Sequence, residues 1–202
     1  MFFSFDGLDG VGKTTQLELF CDWLRQRGHE VVACYDPGST PLGEVIRKIL
    51  LERGSFEIDR RSEMLLFMAA RAQLVAEVIR PNLAAGRVIV SDRFLLANVV
   101  YQGYAGGLDV REIWQIGRVA TADVRPDLTF VLDMPPESAF GRIARPLDRM
   151  EIQTEEFQHR LRQGFQAEAA ARPDEIVLID ASRAVEAVQT EIRRHASRVL
   201  AG

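Results

Sequence analysis

Residues 7–14, Gly7-Leu8-Asp9-Gly10-Val11-Gly12-Lys13-Thr14, satisfy the spacing G-x-x-x-x-G-K-[ST]. The chemistry of this pattern is phosphate binding. Glycines let backbone N–H groups wrap an anion, and the start of a helix adds partial positive charge. The lysine reaches β- and γ-phosphates, and the hydroxyl after it can ligate Mg²⁺. Gly7, Leu8, Asp9, Gly10, Val11, Gly12, Lys13, Thr14 and Thr15 are thus the residues expected to hold ATP. The lysine is informative because the chain favours arginine: of 25 basic residues only Lys13 and Lys48 are lysines. A glycine-rich turn with an incidental lysine is the bland alternative, but by composition a chance match has odds of about 10⁻³.

A second group follows an apolar run. Ser91-Asp92-Arg93 places a carboxylate that can hold magnesium's water shell beside a guanidinium that can bridge two phosphates during transfer. Thr14 and Asp92 are therefore the candidate Mg²⁺ residues, partly through water, and Lys13, Asp92 and Arg93 are candidate catalytic residues. A loop ion pair is the competing reading of Asp-Arg. No Asn-Lys pair exists, which argues against a GTPase, and none of the strand-like runs ends in Asp-Glu as a motor-type ATPase usually would. The variable loop positions carry no basic side chain, so charge on a transferred phosphoryl group must be met from elsewhere. Arg142, Arg145 and Arg149 could meet it from a closing lid at about 141–153 that also excludes water. A solvated helix face is the alternative for such a run.

These groups need elements to position them. Runs at 2–6, 30–36, 87–92, 128–133 and 175–180 are nearly continuously apolar, and each ends in aspartate. Such runs suit parallel strands buried on both faces. Helical stretches lie between them, for example 13–27, 42–53, 59–85 and 183–200, so the pattern is α/β with right-handed crossovers. Ligands then sit beyond the carboxyl ends of the strands, where the aspartates gather. Gly28, Gly54 and Gly86 close three helices, Asp109 with Glu112 caps another over 110–124, and Pro135-Pro136 opens one after the fourth strand. The arginine-rich region 135–171 has few strong apolar positions before Phe157, which predicts a mobile cover rather than a core element.

The 202 residues, without repeat or linker, read as a single domain over 1–202, and 47% hydrophobic content supports a sizeable core. A net charge of −4 argues against a general nucleic-acid binder. No apolar run is long enough to span a membrane, and the first residues lack the basic region of a signal peptide. Cys21 and Cys34 read as buried free thiols of a cytoplasmic chain, with a disulfide between them as the alternative, and three scattered histidines offer no readable metal site.

Over essentially its whole length the chain resembles the thymidylate (dTMP) kinases. The resemblance rests on Gly7–Thr15, Asp36-Pro37-Gly38-Ser39-Thr40, Phe67-x-x-x-Arg71, Asp92-Arg93, Asn98-x-x-Tyr101-Gln102-Gly103, Arg125-Pro126-Asp127 and Leu147-Asp148-Arg149. It implies a three-layer P-loop kinase fold with a five-stranded parallel sheet of order 2-3-1-4-5, a homodimer packed through helices, and transfer from Mg-ATP to dTMP. It further implies that Asp9 accepts from the deoxyribose 3′-hydroxyl and that Phe67 and Arg71 meet thymine by stacking and through its O4. Tyr101 would exclude a 2′-hydroxyl, Asn98 and Gln102 would read the base edge, and Arg47 with Arg93 would grip the acceptor phosphate. Asp36 and Pro37 complete the implied acceptor site. Without the resemblance, Phe67 reads as core and Arg71 as an exposed neighbour.

The sequence departs from the family pattern at Tyr35, Asp36, Ala97 and Tyr104-Ala105-Gly106-Gly107, and its lid is about two residues short. These changes touch base recognition and closure more than phosphate handling. Another nucleoside monophosphate or a deoxynucleoside remains an alternative acceptor, and a nucleotide-binding regulatory module without turnover is the alternative of a different class.

Overall fold

The runs at 2–6, 87–92 and 128–133 become central strands buried on both faces by flanking helices, whereas those at 30–36 and 175–180 become edge strands that are buried only in part. The computed structural model describes residues 1–52, 57–143, 149–150 and 154–201. The strands are β1 (Phe2–Gly7), β2 (Val31–Tyr35), β3 (Val88–Asp92), β4 (Leu128–Asp133) and β5 (Ile176–Asp180). All neighbours pair in parallel in the order β2-β3-β1-β4-β5, as the resemblance implies. The sheet order reverses at β1, which lies between β3 and β4, so the crevice beyond its carboxyl end is the natural ligand site.

The helices are α1 (Lys13–Gln26), α2 (Pro41–Leu51), α3 (Arg60–Leu74), α4 (Arg80–Ala84), α5 (Leu95–Asn98), α6 (Val110–Thr121), α7 (Pro136–Phe140), α8 (Glu155–Ala171) and α9 (Val185–Leu200). Two π-helical segments, Val75–Ile79 and Val99–Ala105, continue α3 and α5. Side chains fix the starts: Thr40 accepts from the Gly43 amide, Asp109 from Arg111 and Glu112, and Thr154 from Phe157. On one face of the sheet Phe3, Phe5, Phe20 and Phe130 form an aromatic cluster with Phe5 and Phe130 centroids 5.2 Å apart. On the other face Phe2 and Ile89 pack against Phe94 and Leu74.

Several boundaries differ from the sequence expectation. The helix expected over 59–85 is interrupted by π-helical geometry at Val75–Ile79. The one expected over 110–124 stops at Thr121 because Ala122 and Asp123 turn left-handed, with φ of 48° and 59°. The helix expected over 42–53 is α2 up to Leu51, and Gly54 lies outside the described residues.

The reading of 135–171 as a mobile cover is corrected for its helical part. In α8, Phe157, Leu161, Phe165 and Ala169 recur every fourth residue, and all four are buried in the core. Its arginines flank that stripe on opposite sides: Arg160 pairs with Glu156, and Arg162 reaches β4 to pair with Asp133. Cys21 and Cys34 are free and buried, and burial pushes their thiols up to about 11 and about 12. No helix among the described residues is long and apolar enough to cross a membrane.

Candidate active site

A cleft of about 870 Å³ opens at the carboxyl ends of β1, β2 and β3, and P-loop and base-side residues line it together. The loop from β1 into α1 needs its glycines. Gly10 has φ of 84°, and a Cβ there would lie 2.1 Å from the Ala139 carbonyl oxygen. Gly7, with φ of 127°, would put a Cβ 2.4 Å from the carbonyl oxygen of Leu132. Only glycine combines that backbone with that close approach. Leu8 and Val11 anchor the loop in the core, whereas Thr14 and Thr15 face the cleft.

Lys13 folds back over the loop. Its Nζ donates to the Leu8 carbonyl at 2.8 Å, to Gly7 at 3.3 Å and to Asp9 Oδ1 at 3.3 Å. Arg93 approaches from β3. It sits in the left-handed region, with φ of 66°, pinned by its N–H donating to Phe5 O and by Ser91 Oγ donating to its carbonyl. That turn costs backbone energy for a side chain with a Cβ, and it aims the guanidinium back at β1. Arg93 donates to Asp9 Oδ1 at 2.7 Å, to the Gly7 carbonyl at 3.1 Å and to the Tyr101 hydroxyl at 3.0 Å. Tyr101 in turn donates to Asp9 Oδ2 at 3.1 Å.

Electrostatics separate the two carboxylates of the loop. Burial alone would raise Asp9, but Arg93 and Lys13 outweigh it and hold the acid well below the usual carboxylate range. Asp6, one turn of chain earlier, is completely buried. Burial pushes its carboxyl up to about 7, Arg93 and Lys13 restrain the rise, and the Asp92 charge adds to it. Its Oδ1 lies 3.4 Å from Arg93, and its buried Oδ2 has no hydrogen-bond partner among the described residues. Burial and the neighbouring Asp9 push the Tyr101 phenol well above its ordinary value, so it stays a donor.

Asp6 makes stability depend on pH. In the unfolded chain it releases its proton near 3.8, whereas the folded chain keeps it until about 7. Stability therefore falls as pH rises between those values, by up to about 1.4 kcal/mol per pH unit. Asp6→Asn stays neutral throughout. Its melting temperature minus that of the unaltered protein should grow from pH 4 to pH 7 and level off above. Thermal melts across that range test this, and a constant difference would show that Asp6 ionises normally.

On the opposite wall, Arg71 and Asp36 are 1% and 0% exposed at the side chain and meet at 2.5 Å. The reading of Arg71 as an exposed neighbour is thus corrected: three elements converge to bury it. Besides Asp36, at the end of β2, it donates to Asn98 Oδ1 at 3.0 Å, beside the π-helical turn, and to Phe94 O at 3.3 Å. Asp36 is completely buried, and burial pushes its carboxyl above the ordinary value although Arg71 pulls it down. Phe67, one turn before Arg71 on α3, is half-buried; it both lines the cleft and packs against Ile46 and Leu50. Arg47 donates to Pro37 O at 2.8 Å, and it lines the cleft together with Tyr101 and Gln102.

The arginines expected of the lid part company. Arg142 is exposed just after α7 and does not line the cleft. Arg145 lies outside the described residues, as does most of 141–153. Arg149 turns to α2 and α3, donating to Leu50 O and Glu63. Sequence reasoning missed Asp6 and Glu63. Asp6 ends the first apolar run, the position already marked in all five strands, and Glu63 precedes Phe67 by the four-residue step that also separates Phe67 from Arg71. Glu137, Glu155 and His159 bring ligand atoms within 4.8 Å of one another, all on exposed side chains.

Thr14 and Asp92 offer hard oxygen donors to the same cleft, the chemistry a magnesium ion takes. The arrangement as a whole can hold a polyphosphate over the loop and a second, smaller group between Phe67, Arg71 and Tyr101.

Comparison with known proteins agrees. The family model described as thymidylate kinase matches residues 5–192. A thymidylate kinase from Symbiobacterium thermophilum is 43% identical over 201 residues, covering 99% of this chain and 94% of that protein. One from Rhodopirellula baltica is 42% identical over 93% of this chain and 76% of its own length. The crystal structure of thymidylate kinase from Ehrlichia chaffeensis superposes with a TM-score of 0.79 at 31% identity, covering 96% of this chain and 97% of that one. With the phosphate loop, the Asp92-Arg93 strand end and the buried Arg71 wall in one cleft, the chain belongs to the thymidylate kinase family.

Proposed function

We propose that this protein transfers the γ-phosphoryl group of ATP to dTMP, giving ADP and dTDP. The observation that carries the reading is the joining of two sites in one cleft, a P-loop ending in Lys13 and an apolar-and-cationic wall of Phe67 and Arg71. Family membership supports the identity of both nucleotides.

An oxygen of the dTMP phosphate attacks the γ-phosphorus, and the bond to the ADP oxygen breaks. No residue forms a bond to phosphorus, so the protein contributes position and charge. The P-loop amides and the start of α1 bind the ATP phosphates. Lys13 meets the charge that accumulates on the transferred group, and Arg93, with Arg47, orients the acceptor phosphate. Thr14, and Asp92 partly through water, would hold Mg²⁺, which would neutralise phosphate charge. Asp9, pinned by Arg93 and Tyr101, faces the deoxyribose hydroxyl as an acceptor, and Arg71 donates to the thymine carbonyl.

ADP release from Mg-ATP against dTMP, dUMP, dCMP, dAMP, dGMP, UMP and AMP tests the proposal. Preference for dTMP supports it. Preference for another acceptor refutes dTMP while keeping the phosphate chemistry, and ATP binding without release refutes turnover.

The working unit is a homodimer in the cytoplasm. Leu42, Val45 and Ile49 lie on one exposed face of α2; Leu65 of α3, which packs on α2, and Val119 of α6, which packs on α3, are exposed as well. Sedimentation should give about twice the mass of 22.7 kDa. A monomer at micromolar concentration would remove this part of the proposal.

A further inference from the structure

Behind the cleft wall a chain of polar side chains runs from Arg71 to Glu63. Arg71 Nη1 donates to Asn98 Oδ1 at 3.0 Å, Asn98 Nδ2 donates to Gln102 Oε1 at 2.6 Å, and Gln102 Nε2 donates to Glu63 Oε1 at 2.9 Å. The other carboxylate oxygen of Glu63 accepts from Arg149 Nη2, whose guanidinium also donates to Leu50 O at 2.7 Å through Nε. Arg71, Asn98, Gln102 and Glu63 are each no more than 8% exposed, so water offers little substitute for these partners.

The two ends of this chain leave its middle no choice. A guanidinium only donates and an ionised carboxylate only accepts. With Arg71 at one end, Asn98 must turn its oxygen there and its NH₂ towards Gln102. With Glu63 at the other end, Gln102 must do the same one step further on. Reversing either amide sets donor against donor or acceptor against acceptor in a buried site. Asn98 and Gln102 line the cleft, whereas Glu63 does not. Their orientation decides which side of each amide, oxygen or nitrogen, is turned to a bound base.

We propose that Glu63 is a specificity-determining positioning residue: by fixing the polarity of the Asn98 and Gln102 amides from behind, it sets the hydrogen-bonding pattern offered to the pyrimidine edge. Thymine and cytosine present opposite patterns there, N3–H donor and O4 acceptor against N3 acceptor and N4 donor. A fixed polarity separates the two, and an averaged one does not. The inference rests on the reading of Asn98 and Gln102 as base-reading residues under the proposed function. The same carboxylate joins this wall to Arg149 and the end of α2, so both neighbours compete for the one acceptor that Glu63→Gln retains.

Glu63→Gln preserves shape, and Arg149, a quarter exposed at its side chain, can turn to water, so the fold should survive. The ratio of kcat/KM for dTMP to that for dCMP should fall about tenfold, the size of one buried mismatched hydrogen bond. KM for dTMP should rise while KM for ATP stays put. Glu63→Asp keeps an acceptor-only group and should restore the ratio to within about threefold. A role confined to stability would lower both kcat/KM values together and leave the ratio untouched. An unchanged ratio in Glu63→Gln, or equal loss in Glu63→Asp, would overturn the inference. If the unaltered protein itself shows no preference for dTMP, the functional reading beneath it fails instead.

Discussion

Lys13→Ala should lower kcat by about 10² or more while leaving the fold intact and KM for dTMP nearly unchanged. The ammonium is almost enclosed, 8% exposed, and three acceptors of the loop converge on it. Its charge therefore sits fixed at the mouth of the P-loop, where charge grows during transfer, and no other lysine stands in the cleft. Arg93 does not substitute, because under the proposed function its guanidinium, held from β3 by Asp9, serves the acceptor phosphate. Removing Lys13 takes the side-chain donor from the Leu8 carbonyl while Gly7 O and Asp9 keep Arg93, so the stability cost is small beside the loss of rate. Steady-state ADP release with saturating dTMP measures the effect, and near-normal kcat would sink the assignment of the P-loop as the phosphoryl-transfer site.

How far the sequence reaches depends on how local the cause is. Strand β4 is legible to the residue, and the others to within one residue at each end: in β1, β3 and β4 burial on both faces demands an uninterrupted apolar run, whereas the edge strands β2 and β5 keep the apolar run with only partial burial. The P-loop is legible for a similar reason: its glycines answer to contacts within a strand, a turn and a helix start. The wall around Arg71 is not. Its partners Asp36 and Asn98 lie 35 and 27 residues away, so nothing local says whether that arginine ends in solvent or in the core. Resemblance to a family supplies the role of the residue but not its neighbours, and Glu63 falls outside even that. Helix α8 was misread for a different reason. Its arginines drew attention to the polar face, although Phe157, Leu161, Phe165 and Ala169 already trace an apolar stripe at helical spacing.

Arg71 is where this non-local construction has the largest consequence for stability, and where binding and folding can be separated. Arg71→Met keeps the stem and removes the head, leaving Asp36 buried without its ion-pair partner, with only the more distant charges of Arg47 and Arg93 acting on it and its Oδ1 already lacking a hydrogen bond among the described residues. Breaking a buried ion pair from one side costs roughly 3–5 kcal/mol, and in a chain of this size that lowers the melting temperature by roughly 10 °C. The loss should grow as pH rises, since burial already raises the Asp36 carboxyl and protonation relieves the orphaned charge. Arg71→Met with Asp36→Asn removes that charge at every pH, so it should recover much of the melting temperature and flatten its pH dependence. Binding should not recover. Neither protein retains the donor proposed to meet the thymine carbonyl, and KM for dTMP should stay raised ~10-fold or more in both, with KM for ATP unaffected. Paired melts and kinetics on the single and double variants separate the two contributions. If KM for dTMP returns with stability in the double variant, Arg71 serves only to hold the wall, and base recognition lies with Phe67 and the amides of Asn98 and Gln102.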